Sequence, residues 1–133
     1  MGVTLDSGVL VDVLRGDERA LAVLDRVESR GLTPLLSTVA VFEVLSGVEY
    51  TKSRSERARV EILLRRIPIE AFDLDSARRA GELRAELLRV GRSPGAPDVM
   101  IAGHALAGGH TLVTRDRALA SAASSLGLPV EWY

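Results

Sequence analysis

Four carboxylates carry the chemistry that this sequence offers: Asp6, Glu43, Asp98 and Asp116. Asp6 follows the apolar run Val3-Thr4-Leu5, and Asp116 follows Leu112-Val113-Thr114-Arg115. Asp98 comes directly after Pro97, at the start of a helical stretch. Glu43 stands inside Val39-Ala40-Val41-Phe42-Glu43-Val44-Leu45, where an ionised carboxylate without a partner is expensive. Each acid also has a simpler role open to it. Glu43 can pair with an arginine or reach solvent, Asp98 can meet a helix dipole, and Asp6 and Asp116 can cap helices. Taken together, with no lysine nearby and no cysteine in the chain, the four suggest an oxygen-ligand site for a hard cation, Mg²⁺ or Mn²⁺. Crowded like charges cannot all ionise without that cation, so at least one carboxyl should titrate high, as a property of the cluster.

For these acids to meet, the chain must bring distant segments to one edge. Short apolar runs alternate with helical patterns: strands over Val3–Leu5, Thr33–Ser37, Pro68–Phe72, Thr111–Thr114 and Pro129–Trp132. The intervening helices are read at Val9–Leu14, after a cap at Asp17, at Thr38–Val48, after the capping box Ser53-Arg54-Ser55-Glu56, at Leu74–Val90, at Asp98–Ala107 and at Asp116–Leu126. The Thr38–Val48 helix is apolar nearly all round, as a buried helix is. This alternation predicts one α/β domain over residues 1–133, with a mostly parallel five-stranded sheet between helices on both faces. In such sheets ligands bind outside the carboxyl ends of the strands, where Asp6 would sit.

Other chemistries find little support. Gly91-Arg92-Ser93-Pro94-Gly95 matches a nucleophile elbow in letters, but it follows a helix, and Pro94 lacks the N–H that an oxyanion hole needs. His104 and His110 lack ligand spacing and read as ordinary part-buried or surface imidazoles. No glycine cradle for a nucleotide is present, and the position two residues after Asp6, where an aspartyl phosphotransferase wants an acid, is Gly8. Asp12, three residues before Arg15, reads as half of an exposed helical ion pair. The five aromatic residues form no stacking platform.

The 133 residues are 47% hydrophobic and 26% charged, an ordinary globular composition. The net charge of −1 excludes nucleic-acid binding by bulk electrostatics, so any such contact is local or metal-mediated. No run approaches a membrane span, and the N-terminus lacks the basic-then-apolar order of a secretory signal. With no cysteine, a cytoplasmic location is expected.

The motifs now in hand resemble those of PIN-domain ribonucleases, specifically VapC-type toxins of toxin–antitoxin pairs. Leu5-Asp6-Ser7-Gly8-Val9-Leu10 resembles the family's opening, and the segment from Ser37 through Glu43-Val44 to Gly47 resembles its second motif. Pro97-Asp98 with Ile101-Ala102, and Leu112-Val113-Thr114-Arg115-Asp116, resemble the third and fourth. The likeness spans nearly the whole chain. It departs at Gly8, where a small polar residue is common, and at Ala118 and Leu119, where the family often has an acid and a Phe. The resemblance implies that Asp6, Glu43, Asp98 and Asp116 hold Mg²⁺ or Mn²⁺ for RNA phosphodiester hydrolysis, with Ser7 and Thr114 in support. It further implies a homodimer, silenced by a small antitoxin that covers the site. Arg15, Arg92, Arg115 and Arg117 are the candidate contacts to RNA phosphate. The competing readings are a PIN nuclease of ordinary RNA processing and a catalytically silent α/β interaction module.

Overall fold

The computed structural model describes residues 2–133. The elements in order are β1 (Gly2–Leu5), α1 (Ser7–Leu14), α2 (Glu18–Ser29), β2 (Thr33–Ser37), α3 (Thr38–Thr51) and α4 (Arg54–Arg66). Then come β3 (Ile69–Glu70), α5 (Leu74–Arg89), α6 (Ala96–Gly108), β4 (Thr111–Thr114), α7 (Arg117–Ser125) and β5 (Val130–Trp132). The five strands form one sheet in the order β3-β2-β1-β4-β5, and every pairing is parallel.

The strands β1 and β4 are buried throughout, as expected of a parallel sheet covered on both faces. Side-chain alternation divides the core in two. Val3, Leu5, Leu36 and Val113 pack on one face with Val9 and Leu10 of α1 and Val23 and Val27 of α2. Leu112 packs on the other with Leu83 and Leu87 of α5, Ile101 of α6 and Leu119 of α7. Full burial of each such side chain is worth about 1.5–3 kcal/mol.

Local chemistry sets the helix ends. Asp17 accepts from the N–H groups of Arg19 and Ala20 at 2.9 and 3.2 Å, and Ser53 accepts from Glu56 N–H at 3.3 Å. The capping box at Ser53 is half made, because the Glu56 carboxylate takes the Thr51 hydroxyl at 3.0 Å. The helix α6 begins two residues before the expected start, with Gly95 as its cap and Pro97 in its first turn. A Cβ on Gly103 would lie 2.5 Å from that of Ala80, so glycine there lets α6 press against α5.

Two expectations are corrected. The strand β3 is only Ile69–Glu70, at an edge, with both residues exposed. The helix α3 is not buried all round: Val39, Ala40, Val44 and Val48 face the core, whereas Phe42 is 63% exposed and Tyr50 90%. Its apolar residues exceed what one side of the sheet can cover.

Candidate active site

The chain leaves β1 on one side of the sheet and reaches β4 on the other only after β2 and β3 are built. The boundary between β1 and β4 is therefore the switch point where open α/β sheets bind ligands. Asp6 follows β1 there and Asp116 follows β4. The backbone N–H of Asp6 donates to Val113 O at 3.0 Å, which extends the pairing one residue past β1.

Asp6 is 4% exposed and occupies the cap position of α1, but its side chain caps nothing. Instead the Thr114 hydroxyl donates to Asp6 Oδ2 at 2.9 Å, and the Thr114 hydroxyl oxygen accepts from Asp116 N–H at 3.1 Å. One threonine thus fixes both strand-end acids across the switch point. The other Asp6 oxygen, Oδ1, is buried without a partner. Burial, and next the Asp98 charge, push the Asp6 carboxyl up to about 7, against the Thr114 hydroxyl and the Ser7 N–H. Ser7 opens α1 directly after Asp6.

Asp98, in the first turn of α6, is half-buried. Burial raises its carboxyl above the usual carboxylate range, with further pushes from Glu43 and Asp116. Glu43 lies on α3 with Oε1 buried and without a partner. The arginine partner open to it from sequence is not observed. Glu43 instead forms the wall of a groove between α1 and α4, with Val11, Arg15 and Val60. Asp116 is exposed and does cap α7, accepting from Leu119 N–H at 3.1 Å, while its charge also reaches Asp98.

The four acids therefore share an edge and an electrostatic field, and two of them present buried oxygens that no donor among the described residues satisfies. That donor set suits a hard divalent cation, which would satisfy those oxygens and offset the like charge. Among the described residues, the group whose ligating atoms all lie within 4.8 Å of one another is a different one, Glu70, His104 and His110.

Sequence reasoning missed that group and misplaced Asp12. Asp12 is buried, and its partner is Arg115, which donates to Oδ1 and Oδ2 at 3.0 and 2.8 Å. The Tyr133 hydroxyl donates to Oδ2 at 2.7 Å, and burial with the Asp12 charge holds that phenol protonated. Arg15 is not in this pair. Arg115 is thus held by Asp12, with its backbone oxygen taken by Trp132 Nε1 at 3.0 Å. Arg117 lies over the Trp132 ring, 4.5 Å from its centroid. Arg15 and Arg92 are exposed, and Arg92 stands beside Ala118 and Ser121 in a separate cleft.

The histidines that lack ligand spacing in the sequence converge, with ring centroids 5.7 Å apart. Both Nε2 atoms meet Glu70 Oε1, at 3.1 Å from His104 and 2.9 Å from His110. Burial holds the His104 imidazole below its ordinary range, against the pull of the Glu70 charge. A usable signal was weak: His104 lies in an otherwise apolar helix, but only the sheet order places Glu70 beside it.

Residues 3–124 match the family model for the PIN domain. The chain is 30% identical over 113 residues to the tRNA(fMet)-specific endonuclease VapC of Shigella flexneri, covering 84% of each protein. It is 34% identical over 85 residues to ribonuclease VapC2 of Rickettsia felis, 63% of each. Its fold superposes on a chain of the crystal structure of Rickettsia felis VapBC2 bound to a DNA fragment from their promoter. There the TM-score is 0.80 and the identity 26%, over 100% of this chain and 99% of that one.

Proposed function

This chain belongs to the PIN-domain family, with VapC ribonucleases among its relatives, and from that premise we propose that it is a Mg²⁺- or Mn²⁺-dependent endoribonuclease. In this reading it hydrolyses RNA phosphodiester bonds as the toxin of a toxin–antitoxin pair. The observation that carries the proposal is the pairing of Asp6 with Asp98 at the switch point. Asp6 there holds a buried, unpartnered oxygen and a proton affinity raised to about 7.

Asp6 and Asp98 are the acids that would hold the cation, and Glu43 supplies its own unpartnered oxygen from α3. Asp116 adds negative charge from the exposed side. Thr114 orients Asp6, and Ser7 follows it at the start of α1. When bound, the divalent ion lowers the pKa of a water and offsets charge on the phosphate. The protein's part is to hold four carboxylates in place and give up the proton kept by Asp6. Arg15, beside Glu43, and Arg92 are exposed and suit RNA phosphates. Arg115 and Arg117 would first have to leave Asp12 and Trp132.

The Shigella relative, named for tRNA(fMet), makes that RNA the first substrate to try. The relatives crystallised as VapBC complexes support a small antitoxin as partner. The uncovered apolar face of α3, with Phe42 and Tyr50, supports docking of that partner or of a second copy in a homodimer. In this reading the protein works in the cytoplasm, and no helix among the described residues is long and apolar enough to cross a membrane.

The test is cleavage of tRNA(fMet) and of total RNA with and without Mg²⁺. Asp98→Asn should lose roughly 10²-fold or more, while Asp25→Asn, on the exposed outside of α2, keeps full activity. Equal cleavage by both variants, or none by the unaltered protein with either metal, overturns the proposal.

A further inference from the structure

We propose that Glu70, His104 and His110 form a second cation site, for a borderline transition metal of the Zn²⁺ class, distinct from the acid cluster. Three elements supply it: the end of β3, the middle of α6 and the residue before β4. Glu70 Oε1 lies 3.1 Å from His104 Nε2 and 2.9 Å from His110 Nε2. Zinc–nitrogen bonds of about 2.0–2.1 Å place the corners of a ligand tetrahedron about 3.3 Å apart. The two oxygen–nitrogen spacings thus already sit within a few tenths of an ångström of that value, and a ligating atom from each residue lies within 4.8 Å of the others. Two imidazoles and one carboxylate are a donor set that zinc accepts, whereas Mg²⁺ prefers oxygen alone.

The surroundings fit. His104 is 4% exposed, and its Nδ1 lies 3.5 Å from the Thr4 hydroxyl, a neighbour placed to orient the ring. His110 has room only because two glycines flank it. A Cβ on Gly108 would come 2.4 Å from its Nε2, and one on Gly2 would come 2.9 Å from its Nδ1. Glu70 and His104 line an open cleft of about 370 Å³ that also carries Asp73 and Asp75, so a fourth ligand can enter from water. His104 stands six residues after Asp98 on α6, about 9 Å along the helix, too far to share an ion with it. A bound ion would tie the two-residue edge strand β3 to α6 and to the start of β4.

The experiment uses the full chain, stripped of metal, with Zn²⁺ and Co²⁺ as probes. One equivalent of Zn²⁺ should raise Tm by about 5 °C or more, and Co²⁺ should give the visible absorption of a tetrahedral site. Both responses should vanish in Glu70→Gln and His110→Gln and persist in Asp98→Asn. Glu70 is exposed, so Glu70→Gln tests the site even where His110→Gln folds poorly. No Co²⁺ band in the unaltered protein overturns the proposal. So does a band that survives in Glu70→Gln, or one that disappears in Asp98→Asn.

Discussion

One helix, α6, carries both polar clusters of this protein, and they are built in opposite ways. At its start Asp98 faces Asp6, Glu43 and Asp116, groups that repel one another. Six residues on, His104 meets Glu70 and His110, groups that attract through hydrogen bonds of 3.1 and 2.9 Å. The second cluster assembles by its own attraction. The first is held by the scaffold: the switch point, the Thr114 hydroxyl and the pressing of α6 on α5 through Gly103. An arrangement that costs stability in the protein alone and would be relieved by a cation is what a metal-dependent site requires.

The largest expected effect separates the two clusters by function. Asp98→Asn should abolish Mg²⁺-dependent RNA cleavage and leave Zn²⁺ stabilisation intact, whereas His110→Gln should do the reverse. Measuring both readouts on both variants sharpens the contrast, and a shared loss would merge the two sites into one.

Next in size is the pH dependence of stability without metal. Asp6 binds its proton more tightly when folded, with its carboxyl raised from 3.8 to about 7. Its contribution is therefore favourable at acid pH and is lost as pH rises from about 4 to 7, on the order of 4 kcal/mol. Urea melts of the metal-free protein should show that fall, and Asp6→Asn should flatten it. Saturating Mn²⁺ should counter it by mass action.

Two smaller effects follow. Glu43→Gln should stabilise the metal-free protein by about 1 kcal/mol, since it removes a like charge from the edge. Destabilisation instead would show that the carboxylate has a partner. Asp12→Asn should destabilise by about 1–3 kcal/mol, because Arg115 and the Tyr133 hydroxyl lose a buried anion. Thermal melts on both variants decide these cases.

The sequence disclosed whatever depended on local pattern. The strands Thr33–Ser37 and Thr111–Thr114 and the caps at Asp17 and Ser53 follow from short-range chemistry, and the alternation of strands and helices set the acids at one edge. What it hid depended on distance along the chain. Asp12 meets Arg115 and Tyr133 across more than 100 residues, so nearby Arg15 looked like its partner. Glu70 reaches His104 across 34 residues through an edge strand of two. Phe42 looked buried because helix periodicity counts apolar residues without knowing which face the sheet can cover.

The Asp6 carboxyl, raised by burial and by the Asp98 charge, gives the most direct measurement. Mn²⁺ is titrated into the His110→Gln protein at pH 6 in weak buffer with an indicator dye. The account predicts release of about one proton per ion bound, absent when Asp6→Asn is added. Mn²⁺ binding without proton release, or release that Asp6→Asn leaves unchanged, would contradict it.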